Sequence, residues 1–148
     1  MRVLMSGENE NEPIGIVAVS HCGLADEMVR VAELIVGEMQ ACRAVCFQAR
    51  QAADEMMAEL REAIREVDRG RGVIILTDLF GGTPANISLS FLGPSVEVVC
   101  GMNLPMLIKL AGCRTGLPLR EAAATVKEYG QRHISLASEI LSRNPGQG

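Results

Sequence analysis

The sequence predicts one α/β domain, an open and mainly parallel sheet with helices on both faces. Three observations predict it. Four short aliphatic runs are rich in β-branched residues, helical stripes separate them, and no repeat, linker or low-complexity tract marks a second domain. Continuous apolar strands alternating with helices belong to parallel sheets buried on both sides.

The first strand reads as Ile14–Ser20, followed by Leu24, Met28, Val31 and Ile35 at helical spacing and a stop at Gly37. The second reads as Ala44–Gln48, followed by a stripe of Met56, Leu60, Ile64 and Val67. Gly72–Leu79 and Val96–Gly101 read as the third and fourth strands. Thr83-Pro84 and Asn103-Leu104-Pro105 place a capping side chain just before a proline in a first helical turn. Ala122, Val126, Tyr129, His133, Leu136 and Ile140 line one face of a long last helix, with an interruption expected at Gly130. The common winding gives the strand order 2-1-3-4 with an added edge strand. Residues 1–13 are expected to be a disordered lead-in without signal-peptide character, 14–143 the domain, and 144–148 a flexible tail.

Composition narrows the function. The 148 residues include no Trp and one Tyr, so the core is aliphatic, with eight methionines as filler. A net charge of −4 with dispersed Lys and Arg leaves no footprint for nucleic acid. No apolar run reaches the roughly 18 residues of a membrane span. Cys22, Cys42, Cys46, Cys100 and Cys113 lack a Cys-x-x-Cys pair and read as free thiols of a reducing cytoplasm. No cluster calls for a metal or cofactor.

Ligands of open α/β sheets sit beyond the carboxyl ends of strands, at the point where strand order reverses. There the first strand ends in Ser20-His21-Cys22-Gly23 and the third in Thr77-Asp78-Leu79-Phe80-Gly81-Gly82-Thr83-Pro84. If these strands are neighbours, His21 and Asp78 stand side by side. A carboxylate bonded to one ring nitrogen fixes the tautomer and turns the other nitrogen outward as a nucleophile. Helix N-termini, the close backbone approach allowed by Gly81-Gly82 and the Thr83 hydroxyl favour an anion there. Phosphoryl transfer, which needs mainly positioning and charge stabilisation, fits these groups. Each part also has a plainer use. His21 alone could be a hydrogen-bonded strand-end residue, Asp78 a loop cap, and Gly-Gly-Thr-Pro an ordinary turn. His133, on the apolar stripe, reads as a packed core or interface histidine rather than a catalytic one.

The blocks Ile-Leu-Thr-Asp-Leu-Phe-Gly-Gly-Thr-Pro-Ala-Asn and Val-Cys-Gly-Met-Asn-Leu-Pro-Met-Leu, following strand–Ser-His–helix, resemble the mannose-family IIA component of the bacterial sugar phosphotransferase system. The resemblance runs from about Ile14 to Leu141. It implies a phosphohistidine at His21, filled by phosphorylated HPr and emptied to a IIB component, with Asp78 as the histidine's partner. It further implies that Thr83 contacts the phosphoryl group, that Asn103 shapes the rim, and that the chain forms a homodimer by exchanging an edge strand. One departure stands out: the family usually has Gly directly after the active histidine, and here Cys22 precedes Gly23. Phosphorylation could also serve as a regulatory signal. The competing readings are a non-catalytic module binding an anion or a partner at the same rim, and a hydrolase pairing Cys22 with His21. The second is disfavoured because sequential neighbours on a strand point apart.

Overall fold

A computed structural model describes residues 11–142. The order is β1 (Gly15–His21), α1 (Leu24–Val36), β2 (Cys42–Phe47), α2 (Ala53–Val67), β3 (Val73–Thr77), α3 (Thr83–Leu89), β4 (Val96–Cys100), α4 (Leu104–Cys113), α5 (Leu119–Arg132) and α6 (Ala137–Ser142). The strands form one sheet in the order β2-β1-β3-β4, every pair parallel. The fold class and the 2-1-3-4 order agree with the sequence reading. Most of the expected lead-in and the whole 144–148 tail lie outside the described residues. Of the lead-in's last residues, Glu12 is tied down, its carbonyl accepting from Arg71 Nη1 at 3.2 Å.

Because side chains alternate across a strand, the sheet separates two cores. Ile16, Ala18, Ile74, Leu76 and Val99 pack against α1, α4 and α5. Val17, Val19, Val45, Val73 and Ile75 pack against α2. The central strands are buried on both faces, which explains their unbroken apolar runs.

Three local expectations shift. On α1 the buried residues are Ala25, Val29 and Ala32, whereas Leu24, Val31 and Ile35 are exposed. Small alanines let the helix approach the sheet closely and leave the larger aliphatics outside. The last helix breaks at His133 rather than at Gly130, which is itself buried within α5. The expected added edge strand does not occur among the described residues. The outer edge of β4 is not reached by the same chain's segment 134–136, which leads instead into α6, none of whose residues is buried.

At the amino ends of the strands, two arginines hold main-chain carbonyls. Arg114, only 5% exposed, donates from Nε to Ile14 and from Nη2 to Ala41. Arg71 donates to the carbonyls of Arg114, Thr115 and Leu117. Burial lowers the pKa of the Arg114 guanidinium, and its charge is spread over these carbonyl dipoles. No helix among the described residues is long and apolar enough to cross a membrane.

Candidate functional site

The adjacency of β1 and β3 sets the site. Val19 pairs with Thr77, and the Asp78 N–H donates to the Val19 carbonyl at 3.1 Å, so β3 delivers Asp78 beside the end of β1. The two chain segments leave the sheet here, His21 toward α1 and Asp78 toward α3.

Asp78 Oδ2 then accepts twice from His21: from its backbone N–H at 2.8 Å and from Nδ1 at 2.7 Å. Asp78 Oδ1 accepts from the Leu79 N–H at 2.9 Å. The carboxylate is nearly enclosed, with 8% of its side chain exposed, whereas the His21 side chain is 50% exposed. Burial pushes the Asp78 pKa up, but the hydrogen bonds from His21 backbone and ring, the ring's charge and the Leu79 N–H outweigh it. The net shift is downward from 3.8. An ionised carboxylate accepts only, so Nδ1 carries the proton and Nε2 presents its lone pair outward.

Gly82 explains how the ring is accommodated. A Cβ there would stand 2.9 Å from Cε1 and 3.2 Å from Nε2 of His21. Only a bare backbone fits against that edge of the imidazole. Gly81, just before it, has φ +93°, a conformation glycine adopts at little cost. Gly82 is the N-cap residue of α3, which starts without a side-chain cap. Thr83 is therefore the first residue of the helix rather than the cap expected from sequence, and it is exposed.

Asn103 does cap its helix. Its Oδ1 accepts from the Met106 N–H at 3.1 Å, and its Nδ2 donates to the Gly130 carbonyl at 3.2 Å. It thus fixes α4 to α5 at the carboxyl rim beyond β4, with its side chain engaged in the scaffold. His133 ends α5, stacked on Tyr129 with ring centroids 3.7 Å apart and with Nδ1 donating to the Tyr129 carbonyl at 2.8 Å. It lies in neither core and has no part in the His21 constellation.

Cys22 stands in the left-handed region at φ +51°. A glycine suits such a position because it adopts positive φ at little cost. The Cys22 thiol is exposed and free, as are the less exposed thiols of the other four cysteines. Sequence reasoning missed Ser20, whose hydroxyl accepts from the Ala25 N–H at 2.7 Å and braces the turn. Capping from within the preceding strand has no fixed spacing to read. No group of three His, Cys, Asp or Glu side chains disposed to hold a metal occurs among the described residues.

Comparison with known proteins converges on one family. Residues 15–127 match the family described as the PTS system fructose IIA component, EIIA-man. The fructose-specific EIIA component of Bacillus subtilis strain 168 is 25% identical over 132 residues, covering 88% of this chain and 90% of that protein. The mannose-specific EIIAB component of Escherichia coli K12 is 27% identical over 124 residues, covering 82% of this chain but 38% of that longer protein. The mannose/sorbose-specific IIA subunit from Enterococcus faecalis superposes with a TM-score of 0.75 at 28% identity, covering 84% of this chain and 94% of that one. The matched span contains all four strands together with His21, Asp78 and Gly82, and the chain belongs to this family of phosphotransferase-system IIA components.

Proposed function

We propose that this chain is a phosphoryl carrier: His21 Nε2 takes a phosphoryl group from phosphorylated HPr and passes it to a IIB component or to a regulatory acceptor. The observation that carries the reading is the double bond-pair from His21 to Asp78 Oδ2, which leaves Nε2 as the outward nucleophile. In the forward step the Nε2 lone pair forms the new N–P bond while the donor's N–P bond breaks and its electron pair stays with the donor. Nδ1 keeps its proton, so the ring becomes cationic, and Asp78 opposite it stabilises that charge. Gly82, whose backbone lies against the Cε1–Nε2 edge of the ring, supports a reading in which it and the neighbouring Thr83 receive the phosphoryl oxygens. In the second step an acceptor nucleophile takes the phosphoryl group and His21 returns to the neutral ring. The protein itself supplies position and charge, and the reaction draws on no cofactor.

The acceptor is read from the EIIAB relative, in which A and B parts share one chain. The free thiols fit a cytoplasmic setting. A second copy of this chain is the remaining partner. The sheet's outer edge along β4 borders a groove of about 450 Å³ lined by Phe80, Leu89, Val98 and Ala123. Ile134, Leu136 and Ile140, spaced two and four apart, are 76%, 59% and 49% exposed. We assign segment 134–136, which leads into α6, as the strand exchanged between two protomers, pairing with β4 and placing its apolar side chains in that groove.

The test is phosphorylation by phosphoenolpyruvate, enzyme I and HPr, comparing wild type with His21→Ala. Acid-labile phosphate on wild type alone is expected. No label on wild type while HPr is labelled would leave the non-catalytic binding module, and label surviving in His21→Ala would move the site.

A further inference from the structure

Ser20 is fully buried at the end of β1, where the rest of the strand supplies aliphatic side chains. Side chains alternate along a strand, so Ser20 follows Ile16 and Ala18 toward α1 while His21 turns to the other face. The Ser20 hydroxyl makes two hydrogen bonds. Oγ accepts from the Ala25 N–H at 2.7 Å and donates to the Cys22 carbonyl at 3.0 Å. One hydroxyl therefore closes a ring across residues 20–25, with His21, Cys22, Gly23 and Leu24 inside it.

Two features make this more than an ordinary cap. First, α1 has no side-chain cap at Gly23, so Ser20 supplies from inside β1 what an N-cap residue ordinarily supplies. Second, the same turn is held from its other side, because the Cys22 N–H donates to the Phe47 carbonyl of β2 at 2.9 Å. Cys22 is thus fixed at both its N–H and its carbonyl, in a left-handed conformation that few non-glycine residues adopt.

We propose that Ser20 is a positioning residue for His21. His21 delivers two donors, its backbone N–H and Nδ1–H, to a single oxygen of Asp78. Both reach that oxygen only if the backbone at His21 and Cys22 is held. β1 holds it on one side of His21, and the Ser20–Cys22 and Ser20–Ala25 bonds hold it on the other. Without the hydroxyl, a buried N–H and a carbonyl lose their partner and Cys22 relaxes toward negative φ. His21 then keeps one bond to Asp78 at the expense of the other, and Nε2 loses its fixed aim. Ser20 touches neither donor nor phosphoryl group, so the effect falls on the transfer step and not on partner affinity.

The kinetic part of this inference rests on the phosphoryl-carrier reading; the structural part does not. Ser20→Ala and Ser20→Thr are compared in the full chain. Ser20→Ala is expected to lower the rate of phosphoryl uptake at saturating phosphorylated HPr by about 10-fold, with an unchanged dependence on HPr concentration. Ser20→Thr, which keeps the hydroxyl, is expected to restore the rate to within about twofold. In the unphosphorylated protein, ring ¹⁵N signals of His21 at neutral pH are expected to show one tautomer in wild type and Ser20→Thr, and a mixture in Ser20→Ala. If Ser20→Ala does not fold, Ser20→Cys, of similar size and a weaker partner, takes its place. Wild-type rate and ring signals in the variant lacking the hydroxyl would overturn the role. So would a lost rate with unchanged ring signals and no rescue by threonine. Should wild type take up no phosphate, the carrier reading fails, and the ring spectra alone decide for or against Ser20.

Discussion

One oxygen of Asp78 serves both donors of His21: Oδ2 accepts the backbone N–H at 2.8 Å and Nδ1–H at 2.7 Å. The same carboxylate therefore orients the ring, selects its tautomer and lies against the positive charge that attack at Nε2 would create. Orientation and tautomer depend on hydrogen bonding, whereas the third effect depends on charge. They can be separated by substitution.

Asp78→Asn keeps the shape and removes the charge. Its amide can also donate to Nδ1, which stabilises the wrong tautomer and buries the nucleophilic lone pair. Phosphoryl uptake from HPr is expected to fall on the order of 10⁴-fold, as for the comparable change in a catalytic triad. Stopped-flow or quench measurement of labelled phosphate checks it, and an uptake rate within a few-fold of wild type would remove Asp78 from the mechanism.

The lowered Asp78 pKa has a signed consequence for stability. Burial opposes ionisation here, but the His21 and Leu79 hydrogen bonds prevail, and the folded-state value lies below 3.8. A carboxyl whose pKa is depressed by folding contributes stability above its unfolded value and loses it as pH falls through the folded value. The difference in thermal midpoint between wild type and Asp78→Asn is expected to be constant near neutrality and to shrink below about pH 4. Calorimetry from pH 7 to pH 2 measures it, and a gap that widens in acid would reverse the assigned sign.

Gly82→Ala separates the site from the scaffold. At φ −88° the backbone tolerates alanine, yet the new methyl would stand 2.9 Å from Cε1 and 3.2 Å from Nε2 of His21. The ring yields by leaving Asp78, because the Nδ1–Oδ2 bond fixes its present place. Stability is expected to change by less than about 1 kcal/mol, since the displaced group is a half-exposed side chain, while phosphoryl uptake falls by about 10²-fold. Equal losses of stability and uptake would show a fold defect instead.

The legible parts of this protein were those with a period or a punctuation mark. Val17, Val19, Ile74 and Ile75 revealed strands because burial on both faces removes the polar alternation. The pairing of His21 with Asp78 follows from the adjacency of β1 and β3, which the common winding of such sheets predicts. The face of α1 was not legible, because hydrophobicity ranks Leu24 and Ile35 above Ala25 and Ala32 while packing distance to the sheet ranks them the other way. Arg114 and Arg71 bond to main-chain carbonyls, which leave no mark in the sequence. Ser20 lay hidden for the same reason, since its partners are backbone groups of Cys22 and Ala25. Thr83 reads as a cap because it precedes a proline, yet Gly82 occupies that position, where only a bare backbone fits against the ring.

Cys22→Gly tests the departure from the family's usual glycine. With φ at +51°, cysteine bears a steric cost that glycine avoids, partly offset by glycine's greater freedom in the unfolded chain. The variant is expected to be more stable by roughly 0.5–1 kcal/mol, a rise of about 2–4 °C or somewhat less in Tm. Phosphoryl uptake should persist, because the thiol takes no part in the His21–Asp78 pairing. A lower Tm in scanning calorimetry would show that the side chain contributes packing which outweighs the strain.

Leu136→Asp tests the exchanged strand without disturbing either core. Leu136 is 59% exposed in the single chain, so a carboxylate there stays solvated if the protein is monomeric. Seated in a partner's groove beside Phe80, Leu89 and Val98, the same carboxylate would be buried against apolar side chains, a desolvation cost of several kcal/mol. Wild type is therefore expected to sediment as a dimer and Leu136→Asp as a monomer, with similar far-ultraviolet circular dichroism. Val31→Asp, on the exposed face of α1, supplies the control, since it adds the same charge far from β4 and should leave the dimer intact. A dimer that survives Leu136→Asp but dissociates with Val31→Asp would move the interface to α1, and a monomeric wild type at tens of micromolar would dispose of the exchange.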